Sequence, residues 1–143
     1  MSFQMTEEER QDFLAQVHVG VLSLNEDGRG PLTAPVWYDY ELGGELWFLT
    51  GRDSKKGRLL REGTRIGLCA QTETAPYKYV SVEGPVTSIQ AASTDRDTRS
   101  MARRYLGAEA GDAYADRAAG DDGESILVRM RPERWLTVDY AKR

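Results

Sequence analysis

The spacing of hydrophobic positions changes twice along this chain. From Thr6 to about Val17 the apolar residues Phe13, Leu14 and Val17 share one helical face. Thr6 and Glu9 supply the hydroxyl and the carboxylate of a capping box that would start this helix. From Val19 to Ile89 the spacing becomes that of strands. Val19 to Asn25 is a β-rich run, and Glu26-Asp27-Gly28 turns it. Pro31 to Tyr40 alternates, with Leu32, Ala34, Val36 and Tyr38 facing one way and Thr33, Pro35, Trp37 and Asp39 the other. Pro35 has no N–H to give a ladder, so this strand lies at an edge or carries a local break there. Gly43-Gly44 makes the next turn, and Glu45 to Thr50 follows as a strand.

A polar turn (Gly51 to Asp53) then leads into a short basic helix from Ser54 to Glu62, ended by Gly63. Arg65 to Thr72 reads as a strand, Ala75-Pro76 as a turn and Tyr77 to Ile89 as a long strand. Gly84-Pro85 predicts a bulge or bend in that strand. From Thr94 the spacing is helical again. Met101, Tyr105 and Leu106 mark a helix from Thr94 to Leu106, stopped by Gly107, and a second, Ala-rich helix runs from Glu109 to Ala119. Gly120 to Gly123 is a loop; Ser125 to Met130 and Trp135 to Tyr140 are two last strands. Hairpin connections imply antiparallel pairing. About six or seven short strands imply a mainly β fold, a closed or nearly closed barrel with flanking helices, since closure removes exposed edges.

Composition narrows the function more than the fold. At 143 residues, 40% hydrophobic and 29% charged, the chain suits one globular domain with a real core. A net charge of −4 argues against nucleic acid as the main partner. No stretch approaches the ~20 apolar residues of a membrane span. No signal peptide is visible, so the expected location is cytoplasmic. The single cysteine, Cys69, sits in an apolar strand and reads as a buried, inert thiol. The single histidine, His18, lies at a helix-to-strand junction and reads as structural. One His and one Cys furnish no ordinary zinc site, and Asp121-Asp122 lacks the ligand spacing of a calcium loop. Asp39 or Glu45 could act as a base, but nothing singles out either, and no nucleotide-binding glycine motif is present.

Two groupings remain. Thr50, Arg52, Ser54, Lys55, Lys56 and Arg58 crowd one turn and the helix it opens. Such a turn could hold a phosphate, since helix-end N–H groups and cations both favour an anion; it could equally be a solvated basic surface. Trp37, Tyr38, Tyr40, Trp47, Phe48, Tyr77, Tyr79 and Trp135 form the aromatic set, most of it suited to packing and some to walling a planar ring. A phosphate turn on a barrel without a polar catalytic set suits an enzyme whose cofactor carries the chemistry.

The order GVLSL (Gly20 to Leu24), Asp27-Gly28, PVWY (Pro35 to Tyr38), LWFLT (Leu46 to Thr50), SKKGRLLREGTR (Ser54 to Arg65) and YVSVEGPV (Tyr79 to Val86) resembles the pyridoxamine 5′-phosphate oxidase-like split-barrel superfamily. Within it, the chain is most similar to the small flavin- and deazaflavin-dependent oxidoreductases. The match covers Val17 to Ile89 well and the C-terminal third loosely. The resemblance implies a single split-barrel domain over 1–143: an N-terminal helix at 6–17, a barrel core at 18–90, a helical insertion at 94–119 and closing strands at 124–140. It also implies a homodimer with the cofactor at the interface. Thr50, Ser54 and Lys56 would hold the cofactor phosphate, with Arg52, Lys55 and Arg58 as accessory cations. Pro35, Val36 and Trp37 would lie along the ring, and Tyr77 and Tyr79 would come near it. Many relatives have Asn where this chain has Leu59. The absence of His near the C-terminus argues against pyridoxamine-phosphate oxidation itself. The extra cations suit the anionic tail of the deazaflavin coenzyme F420 better than FMN. The expected activity is hydride transfer to a small unsaturated or aromatic acceptor, with no catalytic side chain or metal ligand assigned. Two alternatives are a non-catalytic flavin- or deazaflavin-binding or carrier protein, and a barrel that has lost its ligand.

Overall fold

The structure, a computed structural model, describes residues 2–120 and 124–142. Asp121, Asp122 and Gly123, which belong to the loop expected over Gly120 to Gly123, lie outside the described residues. Helix α1 spans Glu7–Ala15, followed by strands β1 (Val19–Leu24), β2 (Leu32–Tyr40) and β3 (Leu46–Gly51). Helix α2 (Lys55–Leu59) leads to β4 (Arg65–Gln71) and the long β5 (Lys78–Ala91). A π-helical turn at Thr94–Thr98 runs straight into α3 (Arg99–Leu106), and α4 (Ala108–Arg117) folds back on it. Strands β6 (Ser125–Met130) and β7 (Arg134–Asp139) finish the chain.

All pairings are antiparallel. Strands β1, β2, β3, β6, β5 and β4 follow one another around a closed barrel of six strands, and β7 adds to β5 outside it. This is the mainly β barrel that the strand pattern predicts, of the split type that the resemblance implies. Inward residues such as Leu22, Leu46, Phe48, Leu68, Val80 and Val128 are fully buried, and their removal from water is the main driving force for closure. The irregularity of β5 expected at Gly84-Pro85 comes just after it, as a register shift between Val86 and Ser88. It lets the first half of β5 pair with β4 and β7 and the second half with β6. A Cβ on Gly84 would sit 1.8 Å from the Arg131 carbonyl oxygen, so the close crossing of β5 and the β6–β7 corner admits only glycine.

Three boundaries differ from expectation. Helix α1 stops at Ala15, and Val17 is exposed rather than on a buried face. The basic helix covers five residues instead of Ser54 to Glu62, because Leu60 leaves the helical region to bury its side chain in the core. The segment predicted as a helix from Thr94 begins with the π-helical turn. No helix among the described residues is long and apolar enough to cross a membrane.

Candidate functional site

The site starts from a change of partner along β2. Residues Leu32 to Trp37 pair with β1, whereas Tyr38 to Tyr40 pair with β3. Continuing the β2–β3 register would set Trp37 opposite Leu49, but the ladder stops at Tyr38 and Phe48. Beyond that point the strands part, and a cleft of about 380 Å³ opens between them. Pro35, Val36 and Trp37 form one side; Leu49, Thr50 and Gly51 form the other. Lys56 reaches in from α2, Ser125 from β6, and Thr98, Met101 and Tyr114 from the helical segment.

Backbone direction in β2 follows from its hydrogen bonds. The Tyr38 N–H donates to the Tyr105 hydroxyl at 2.9 Å, and that hydroxyl donates to the His18 carbonyl at 2.5 Å. The Tyr38 groups therefore point toward β1. The Glu41 N–H donates to the Glu45 carbonyl, toward β3. Successive residues of an antiparallel strand alternate edges, so the Trp37 N–H and the carbonyls of Pro35 and Trp37 face the cleft. The nitrogen that proline cannot protonate falls on the same open edge, which is the local break that Pro35 predicts.

The basic turn divides into residues committed elsewhere, exposed arginines and a lysine that lines the cleft. The Ser54 hydroxyl donates to the Gly51 carbonyl at 2.7 Å and accepts from the Gly57 N–H at 3.0 Å, capping α2. Its one proton being used, Thr50 Oγ1, 3.1 Å away, is the donor between the two hydroxyls. A Cβ on Gly57 would lie 2.2 Å from the Gly51 carbonyl oxygen, so glycine lets α2 seat directly on the end of β3. Lys55 turns to Glu26 at 3.3 Å. Arg52 and Arg58 are exposed, and the Arg52 N–H donates to the Glu124 carbonyl. Lys56 is half-buried, lines the cleft and has no carboxylate partner among the described residues. Leu59 packs against the core.

The remaining sequence candidates scatter. Tyr77 is exposed and Tyr79 lies on the outer face of β5; neither lines the cleft of this chain. Asp39 pairs with Arg104 at 3.3 Å, and Glu45 accepts from the Thr87 hydroxyl. Neither carboxylate lines the cleft. The His18 ring stacks on Phe13 at 4.4 Å, and burial holds its pKa below the ordinary value. A backbone contact to Phe13 engages it, but Nε2 is buried without a partner, so only part of its expected hydrogen bonding is met. Cys69 is half-buried on the outer sheet face, and burial pushes its thiol pKa up.

Sequence reasoning missed Thr98, Met101, Tyr114 and Ser125. Helical spacing gave Met101 a helix but no direction relative to the barrel. The Trp37 indole lies parallel to the Tyr105 ring at 4.9 Å, and Tyr114 meets it at a tilt at 5.8 Å. Trp37 thus joins the helical segment to the open strand edge. Its one stacked face is already covered by Tyr105.

Comparison with known proteins agrees with this architecture. The family model for pyridoxamine 5′-phosphate oxidase matches residues 6–139. No curated protein matches the chain. Among solved structures, an F420 reductase superposes with a TM-score of 0.72 at 20% identity, over 88% of this chain and 94% of that one. A conserved hypothetical protein of Mycobacterium tuberculosis gives 0.75 at 25% identity, covering 97% and 88%. An FAD-binding protein of Mycobacterium smegmatis gives 0.60 at 17% identity, covering 93% and 95%. The chain belongs to the pyridoxamine 5′-phosphate oxidase family, matched over nearly its whole length.

Proposed function

We propose that this family member is an oxidoreductase that holds a flavin-type cofactor, F420 in preference to FMN, in the split between β2 and β3. The observation that carries the reading is Lys56: a half-buried side chain that lines the cleft, with no carboxylate partner among the described residues. A cation in a cleft partly withdrawn from water favours an anion beside it. A cofactor phosphate would meet it there, with Thr50 alongside and Arg52 and Arg58 at the exposed end for further acidic groups. Ser54 contributes by holding α2 in place. The open edge of β2 offers the Trp37 N–H to a polar atom of the ring, and Met101 and Tyr114 close over it. These donor types fit a phosphorylated, planar, hydrogen-bonding group. When bound, such a cofactor supplies hydride transfer to a small unsaturated or aromatic acceptor. The chain supplies position and a dry wall.

The cleft also borders an uncovered surface. Val19, Val21 and Leu136 are exposed on the outer sheet face, where Val21 pairs with Pro35 of the cleft. Exposed apolar sheet of this kind marks an interaction surface. A second copy of the chain covering it would wall the cleft from outside and could bring the partner's Tyr77 and Tyr79 near the ring. Sedimentation at micromolar concentration should then give a dimer; a monomer would remove the shared site.

Titration with F420 and with FMN, followed by fluorescence quenching, tests the site directly. Lys56→Ala should weaken whichever binds by ~1.5–3 kcal/mol through loss of a charge-assisted bond. Unchanged affinity would remove the phosphate assignment. A carrier without turnover is the second reading, favoured by the lack of any carboxylate among the described residues that line the cleft. Oxidation of the reduced cofactor by quinones and enones separates carrier from enzyme.

A further inference from the structure

Two adjacent side chains of α3 hold the open strand of the split. The Tyr105 hydroxyl sits between the His18 carbonyl and the Tyr38 N–H. It occupies the position where the β1–β2 ladder, which ends at Val19 and Trp37, would have its next bonded pair. Arg104 fastens the same place. Its Nε donates to the Tyr38 carbonyl at 3.0 Å, and its Nη2 donates to the carbonyls of Ala15 and Gln16, each at 3.0 Å. Its Nη1 lies 3.3 Å from Asp39. The Tyr105 ring, stacked on Trp37, fixes the indole as well. These contacts decide where residue 37 stands, and residue 37 carries the one backbone N–H of the Pro35–Trp37 edge that faces the cleft. Without the wedge, β2 would lose the bonds that keep its end apart from the strand it has left.

We infer that Tyr105, supported by Arg104, is a positioning residue: its hydroxyl sets the β2 edge so that the Trp37 N–H can donate to the ring of the cofactor. The inference rests on the reading of the cleft as a flavin-type site. It adds that the helical segment acts through the strand rather than only as a cover. The phenol is suited to this, because burial raises its pKa and keeps the hydroxyl protonated.

Tyr105→Phe removes the hydroxyl and keeps the stack. In the ligand-free protein, amide exchange at Tyr38 should quicken. With cofactor, affinity should fall ~3–10-fold, as for loss of one supported hydrogen bond. The absorption band of bound F420 or FMN should shift, a change that loss of global stability alone would not produce. Should Tyr105→Phe fail to fold, Arg104→Gln removes the clamp on the Tyr38 carbonyl and leaves Tyr105 intact, with the same expected shift. If the unmodified protein binds cofactor and the folded variant shows the same affinity and band, the inference is overturned while the site stands. If the unmodified protein binds neither F420 nor FMN, the reading of the cleft falls and the inference with it.

Discussion

The barrel and the helical hairpin above it are held by different forces. In the barrel, each strand has a neighbour on either side along at least part of its length, and apolar side chains such as Phe48 and Leu46 are removed wholly from water. In the hairpin of α3 and α4, few large apolar residues are buried, and charge supplies much of the hold. Arg99 reaches Asp95, Asp112 and Asp116 at 2.9–3.0 Å, and Arg103 grips Asp112 with two bonds of 2.7 Å. Small residues allow the helices to touch: a Cβ on Gly111 would lie 2.5 Å from Arg103 Cα. The difference separates durability from adjustment. The part that defines the fold depends on burial, which salt hardly weakens. The part that covers the cleft depends on exposed ion pairs, which salt and acid both weaken.

Breaking the barrel should have the largest effect. Phe48→Ala leaves a void in a fully buried position and should cost ~3–5 kcal/mol, read as a fall in the urea midpoint. A loss below about 1 kcal/mol would show that the core can collapse around the gap and that burial of this ring contributes little to the barrel's stability.

The hairpin should respond more gently. Asp112→Asn should leave the urea midpoint of the barrel nearly unchanged while speeding amide exchange in α4. Added salt should mimic it in the unmodified protein. Acid gives the same comparison. Arg103 and then Arg99 hold the Asp112 carboxyl at about 2, below its ordinary 3.8. Its contribution is therefore complete above about pH 4 and lost as pH falls toward 2. Exchange in α4 that rises over that window in the unmodified protein, but not in Asp112→Asn, would confirm the charge lock. Identical profiles would assign the hold to packing at Gly111 instead.

Local signals carried well where one residue type answers one physical need. The Thr6–Glu9 capping box is present in full. The alternation of Leu22, Val36, Tyr38 and Val80 matches their inward side chains. Pro35 announced a strand edge without a ladder partner. The basic turn was legible as a cluster but not as a set of roles. Ser54, Lys55 and Lys56 look alike in sequence as phosphate ligands. Their partners, the Gly51 carbonyl, Glu26 and the open cleft, are found only once α2 is seated on β3.

The sequence alone determined that the chain alternates into a barrel with a cationic bend after its third strand. Period and turn chemistry are properties of neighbouring residues, and physics reads them locally. Only the tertiary structure decided that Thr98, Met101, Tyr114 and Ser125 meet Pro35 and Lys56 around one cleft, and that Tyr105 stands between His18 and Tyr38. Those meetings join residues far apart along the chain, and they depend on the β2–β3 ladder stopping at Tyr38 and on α3 taking the next place of the β1–β2 ladder.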